Sequence, residues 1–123
     1  MKKIFNAMAV TAIAAGALMS ANVYAGAEAK CAACHDFGSA HKVGPALGGI
    51  VGKPAGSTDF GGYSDSLKKG GWAWDEANLR KWLGDSKAAI KELSGDANAT
   101  TKMPPQKLTD AQADEVIGFL KGK

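Results

Sequence analysis

The pentapeptide Cys31-Ala32-Ala33-Cys34-His35 constrains this chain more than any other feature. Two cysteines three apart on a helical turn project from nearly the same face, so both sulfurs can reach the vinyl groups of one haem. The adjacent histidine then turns its imidazole toward the iron as an axial ligand. Thioether bonds would hold the haem even while an iron–ligand bond breaks. Three other readings compete. A thioredoxin-like redox pair shares the cysteine spacing but calls for a preceding strand and a βαβ pattern, and no segment here alternates cleanly with period two. Zinc asks for four ligands, and His41 is the one further histidine or cysteine in the chain. A structural disulfide gives His35 no part. Covalent haem accounts for all three residues.

Attachment alone does not separate an electron carrier from a haem enzyme. The second axial position does: a strong protein ligand closes the iron, while an open position admits substrate or gas. The candidates are Met103 and His41. Met103 lies in Thr101-Lys102-Met103-Pro104-Pro105, where the prolines stiffen the backbone and block helix formation, so a thioether is presented from a rigid loop. A lone methionine is ordinarily core filler. Here it lies off any apolar stripe. His41 follows His35 by only six residues, too near in the chain to reach the other haem face easily. Met103 is the favoured ligand.

The first 25 residues read as a cleavable secretory signal peptide. Lys2 and Lys3 open it, an apolar run from Ile4 to Met19 follows, and Val23-Tyr24-Ala25 offers a small-residue exit. The run falls short of the roughly 20 residues that span hydrocarbon. Cleavage after Ala25 leaves residues 26–123, with 13 basic and 12 acidic side chains, and Met103 as the last methionine. That balance argues against a dedicated nucleic-acid binder. A domain this small buries only about 60–65% of its unfolded surface, so a buried prosthetic group or a disulfide is expected to reinforce it.

Residues 26–123 show no repeat or linker and read as one all-α domain with long loops. Thr109 and Gln112 form a capping box before the stripe Ala113, Val116, Ile117 and Leu120, with Lys121 and Gly122 closing that helix. Asp75 caps a second helix carrying Leu79, Trp82 and Leu83. Ser86 is expected to cap a third, with Ala89, Ile90 and Leu93. Between them run glycine-rich stretches at 44–56, 61–62 and 70–71, loops long enough to need something to wrap around.

With these residues together, the chain resembles the class I c-type cytochromes, small soluble monohaem proteins such as mitochondrial cytochrome c and bacterial cytochrome c2. The resemblance runs over residues 30–123. It begins at Lys30-Cys31-Ala32-Ala33-Cys34-His35 and continues through the 41–47 and 49–53 loops to Tyr63, Trp74 and the Leu79/Trp82/Leu83 helix. Thr101-Lys102-Met103 and the last helix complete it. It implies a cytochrome c fold of three to five helices around one covalent haem c with iron, held through Cys31 and Cys34. It implies that Pro45 offers its carbonyl to the His35 ring N–H. Tyr63 and Trp74 would donate to a haem propionate, with Thr101 assisting, and Trp82 would stand near the methionine sulfur. Leu47 would pack on the His35 side, and His41 would bond a neighbouring loop. Three departures stand out. Ala27 sits where an aromatic residue usually packs on the last helix, against Val116 and Phe119; residues 89–100 are additional; and Leu67 and Ser86 replace a polar residue and a proline.

The function this implies is periplasmic electron transfer without substrate turnover. The expected partners are redox proteins: a donor dehydrogenase or bc1-type complex, and an acceptor oxidase or reductase. Neither nucleic acid nor stable membrane insertion is expected after leader removal, and the expected state is a monomer. Lys30, Lys42 and Lys102 resemble the family's lysines around the haem edge, placed to steer an acidic partner. Two rival classes make different predictions: a haem enzyme or gas sensor leaves the sixth position open, and a non-haem thiol protein is colourless.

Overall fold

The computed structural model describes residues 26–123; the predicted signal peptide, 1–25, lies outside the described residues. Among the described residues five helices occur in the order α1 (Ala29–Ala32), α2 (Asp65–Lys69), α3 (Glu76–Gly84), α4 (Ser86–Ser94) and α5 (Asp110–Lys121). Among the described residues extended pairing is limited to an isolated antiparallel bridge between Pro54 and Ala73. It joins two of the glycine-rich loops, with the Ala55 and Trp74 amides donating to the Trp72 and Lys53 carbonyls, each at 2.8 Å.

The caps set the helix boundaries. The Thr109 hydroxyl accepts from the Gln112 amide, and the Gln112 side chain accepts from the Thr109 amide, so the predicted capping box starts α5. Gly122 ends α5 at φ −86°, without a left-handed turn. Asp75 caps α3 through the Asn78 amide, again as the sequence pattern predicts. Ser86 does not cap α4. Asp85 does, accepting from the Ala88 amide, while its own N–H closes α3 on the Lys81 carbonyl. Its extended backbone (φ −161°, ψ 100°) turns the chain sharply between the two helices. The short α2 has no counterpart in the sequence reading. Its cap is Ser64, whose hydroxyl accepts from the Leu67 amide.

The helices meet over a core in which Leu79, Ile90, Val116 and Ile117 are all buried. Residues 89–100, expected from the sequence to be additional, belong to this core through Ala89, Ile90 and Ala99, and the Thr100 amide is tied to the Ser66 hydroxyl of α2. Ala27 is partly buried against the core, and its amide reaches the Glu115 carboxylate. Phe37 meets Phe119 edge-on at 4.7 Å. No helix of the described residues is long and apolar enough to cross a membrane.

Candidate functional site

A cavity of about 320 Å³ runs into the molecule between the helices and the loops. Cys31, Cys34, His35, Pro45, Tyr63, Trp74, Trp82, Thr101 and Met103, the nine residues singled out in the sequence, all line it. Leu47, Leu79, Leu83, Val116 and Leu120 make much of the rest apolar.

Cys31 sits on α1 and is buried; Cys34 lies just beyond the helix and is exposed. The helical turn continues past the last residue of α1, because the Cys34 and His35 amides both donate to the Cys31 carbonyl, at 3.1 and 2.9 Å. That turn brings the two sulfurs and the imidazole to one wall. Burial pushes the Cys31 thiol above its ordinary value, and the Glu28 carboxylate adds to the effect, so the sulfur is held neutral.

The His35 ring is fixed by its Nδ1, 2.7 Å from the Pro45 carbonyl. A carbonyl accepts only, so Nδ1 carries the proton and Nε2 keeps its lone pair. Burial lowers the His35 pKa, outweighing the pull of the Pro45 carbonyl, and keeps the ring in its neutral, ligating form. Gly44 packs flat on this ring: a Cβ there would stand 2.4 Å from Cε1. His41 braces the same loop. Its Nδ1 accepts from the Ala46 amide at 2.9 Å and its Nε2 donates to Asp59 at 2.6 Å, so it bonds a neighbouring loop as the resemblance implies.

Met103 is held at each of its heteroatoms. Its amide donates to the Thr101 hydroxyl (3.3 Å), its carbonyl accepts from the Ser86 hydroxyl (2.8 Å), and its sulfur accepts from Trp82 Nε1 (3.0 Å). Trp82 in turn meets the Trp74 ring edge-on at 5.0 Å. The Tyr63 hydroxyl pairs with Thr58 at 2.5 Å. Lys30 and Lys102 line the cavity; Lys42 does not, and its ammonium donates to the Ala32 carbonyl at the end of α1.

Sequence reasoning missed Gly44 as the residue that admits the His35 ring, although a glycine directly before Pro45 was a visible signal. It also missed Ser64, whose hydroxyl donates to the Thr100 carbonyl and so anchors the start of the Met103 loop. Among the described residues no three His, Cys, Asp or Glu side chains converge as a metal site. The residues present fit a haem: an apolar cavity, two thiols and a neutral imidazole on one helical turn, and a thioether in the same lining.

The family model for cytochrome c matches residues 20–122. The chain belongs to the cytochrome c family. Membership brings one covalent haem c with its iron, attached through Cys31 and Cys34, and the electron-carrying role of that group. The chain is 40% identical to a cytochrome c2 of Rhodospirillum rubrum over 98% of each sequence. Among solved structures it is similar to cytochrome cH from Methylobacterium extorquens, at 39% identity and TM-score 0.66, covering 79% of this chain and 92% of that one. It also superposes on cytochrome c2 from Rhodobacter sphaeroides, at 34% identity and TM-score 0.69, covering 78% and 89%. Like these neighbours it has the class I fold.

Proposed function

We propose that this cytochrome is a periplasmic shuttle for single electrons, with His35 and Met103 as the axial ligands of its haem. The observation that carries the reading is that one cavity gathers Cys31, Cys34, His35 and Met103. When bound, the haem supplies a one-electron Fe(III)/Fe(II) couple. The chain's part is to position and exclude. Pro45 fixes the tautomer that leaves Nε2 available to the metal, and makes the ring a better donor. Trp82 directs its indole N–H at one lone pair of the Met103 sulfur and leaves another for iron. Apolar walls from α3 and α5 keep water from the site, and together with the thioether they favour the reduced state, so the potential is positive. Trp74, Tyr63 and Thr101 supply the polar groups of the lining, suited to hydrogen-bond the haem propionates.

Residues 1–25 are removed in this reading, which leaves Gly26 as the new terminus. One feature supports that position: the Gly26 nitrogen lies 3.1 Å from the Glu28 carboxylate, a partner suited to a new terminal ammonium. The mature protein docks transiently, as a monomer, with a donor dehydrogenase or bc1-type complex and with an acceptor oxidase or reductase. Lys30 and Lys102 at the cavity edge steer acidic partners.

Expression alongside haem-attachment machinery, followed by potentiometric titration of the periplasmic fraction, tests the reading. The expected outcome is a reversible one-electron couple at positive potential, in a protein whose first residue is Gly26. A resting protein that binds carbon monoxide tightly or turns over peroxide contradicts it.

A further inference from the structure

We infer that Ser86 is a positioning residue for the sixth ligand: its buried hydroxyl holds the Met103 carbonyl and thereby keeps the thioether at the iron. The inference rests on the reading of Met103 as a ligand. Ser86 is fully buried, 0% exposed, an unusual setting for a serine away from a cap. A buried hydroxyl costs free energy unless it is bonded, and this one donates to Met103 O at 2.8 Å.

The position of that hydroxyl is over-determined. Ser86 is the first residue of α4, directly after Asp85, whose carboxylate caps the helix and also receives the Lys107 ammonium at 3.0 Å. The Leu108 amide donates to the Leu83 carbonyl, 3.2 Å away. The loop from Met103 to Leu108 is therefore pinned to the α3–α4 corner at both ends. Within it Lys107 takes φ +55°, the one positive φ of a non-glycine among the described residues. Such a conformation persists only where surrounding contacts enforce it. Trp82 acts on the sulfur, and Ser86 acts on the backbone that carries it.

An added ligand for ferric iron must first displace the sulfur, so imidazole titration reads how firmly Met103 is held. Losing one neutral hydrogen bond raises the apparent imidazole affinity of Ser86→Ala roughly two- to tenfold. Ser86→Pro is the second variant. The first helical position accepts proline, and Asp85 before it is extended (φ −161°, ψ 100°), clear of the helical region that a following proline disfavours. It removes the hydroxyl without unsettling α4 and gives the same rise. Ile90→Val is the control, at a residue equally buried on the same helix, with a comparable cost in denaturant resistance. It leaves imidazole affinity unchanged. Equal imidazole affinity in the wild type and both Ser86 variants, or a rise in Ile90→Val as large as in Ser86→Ala, overturns the assignment. A ferric wild type with no sulfur-to-iron absorption band overturns the Met103 reading itself and takes this inference with it.

Discussion

The His35 wall of the cavity and the Met103 wall are built in different ways. His35 is held by residues close to it in the chain: the turn from Cys31, Pro45 ten residues on, and the face of Gly44. Met103 is held from a distance, by Trp82 and Ser86, 21 and 17 residues upstream on two other helices. The first wall is local and includes two covalent attachments. The second is mainly tertiary: beside the local Thr101 contact it rests on two long-range hydrogen bonds that each contribute about 1 kcal/mol. The His35 side should therefore fail all at once, and the Met103 side by degrees.

The largest effect tests the covalent side. The double variant Cys31→Ala, Cys34→Ala should lose its haem entirely on denaturation, read as colour that no longer migrates with the chain. Retained colour would break the contrast. Gly44→Ala comes next. Its methyl must displace the His35 ring, and overpacking of this kind costs about 1–3 kcal/mol, measured as a lower midpoint of denaturant unfolding. On the other wall, Trp82→Phe keeps the apolar bulk but removes the donor to sulfur. Imidazole should then displace Met103 roughly two- to tenfold more readily, with covalent haem unaffected.

The smallest effect concerns the brace behind Pro45. The hydrogen bond from His41 is the main influence that holds the Asp59 carboxyl below its ordinary range. A carboxyl with a depressed folded value stabilises above its unfolded value, and that contribution is lost as pH falls through the folded one. The stability gap between wild type and Asp59→Asn should thus be fully open near neutral pH and narrow through the acid range. Unfolding midpoints measured across pH decide it, and a gap independent of pH would show that the ionised carboxyl contributes nothing.

The same contrast explains what the sequence made legible. Cys31, Cys34 and His35 announce themselves because their chemistry is set by spacing on one turn. The start of α5 is legible for the same reason, since Thr109 and Gln112 satisfy each other within four residues. Ser86 illustrates the limit. As a polar residue before an apolar stripe it reads as a helix cap, and by local rules that is a fair expectation. Its hydroxyl goes instead to a carbonyl 17 residues away, while the neighbouring Asp85 takes the cap. Helix α2 was missed because its five residues present no apolar stripe; Ser64 and the contact with Thr100 hold it in place. Tertiary partners, absent from any local pattern, decide these positions.

The most direct test of the account is the absorption spectrum of the oxidised, haem-loaded protein beside that of Met103→Ala. The account predicts a weak long-wavelength band from methionine sulfur on ferric iron in the wild type, abolished in the variant while the covalent haem remains. A red wild-type protein without that band, or a band that survives Met103→Ala, would contradict it.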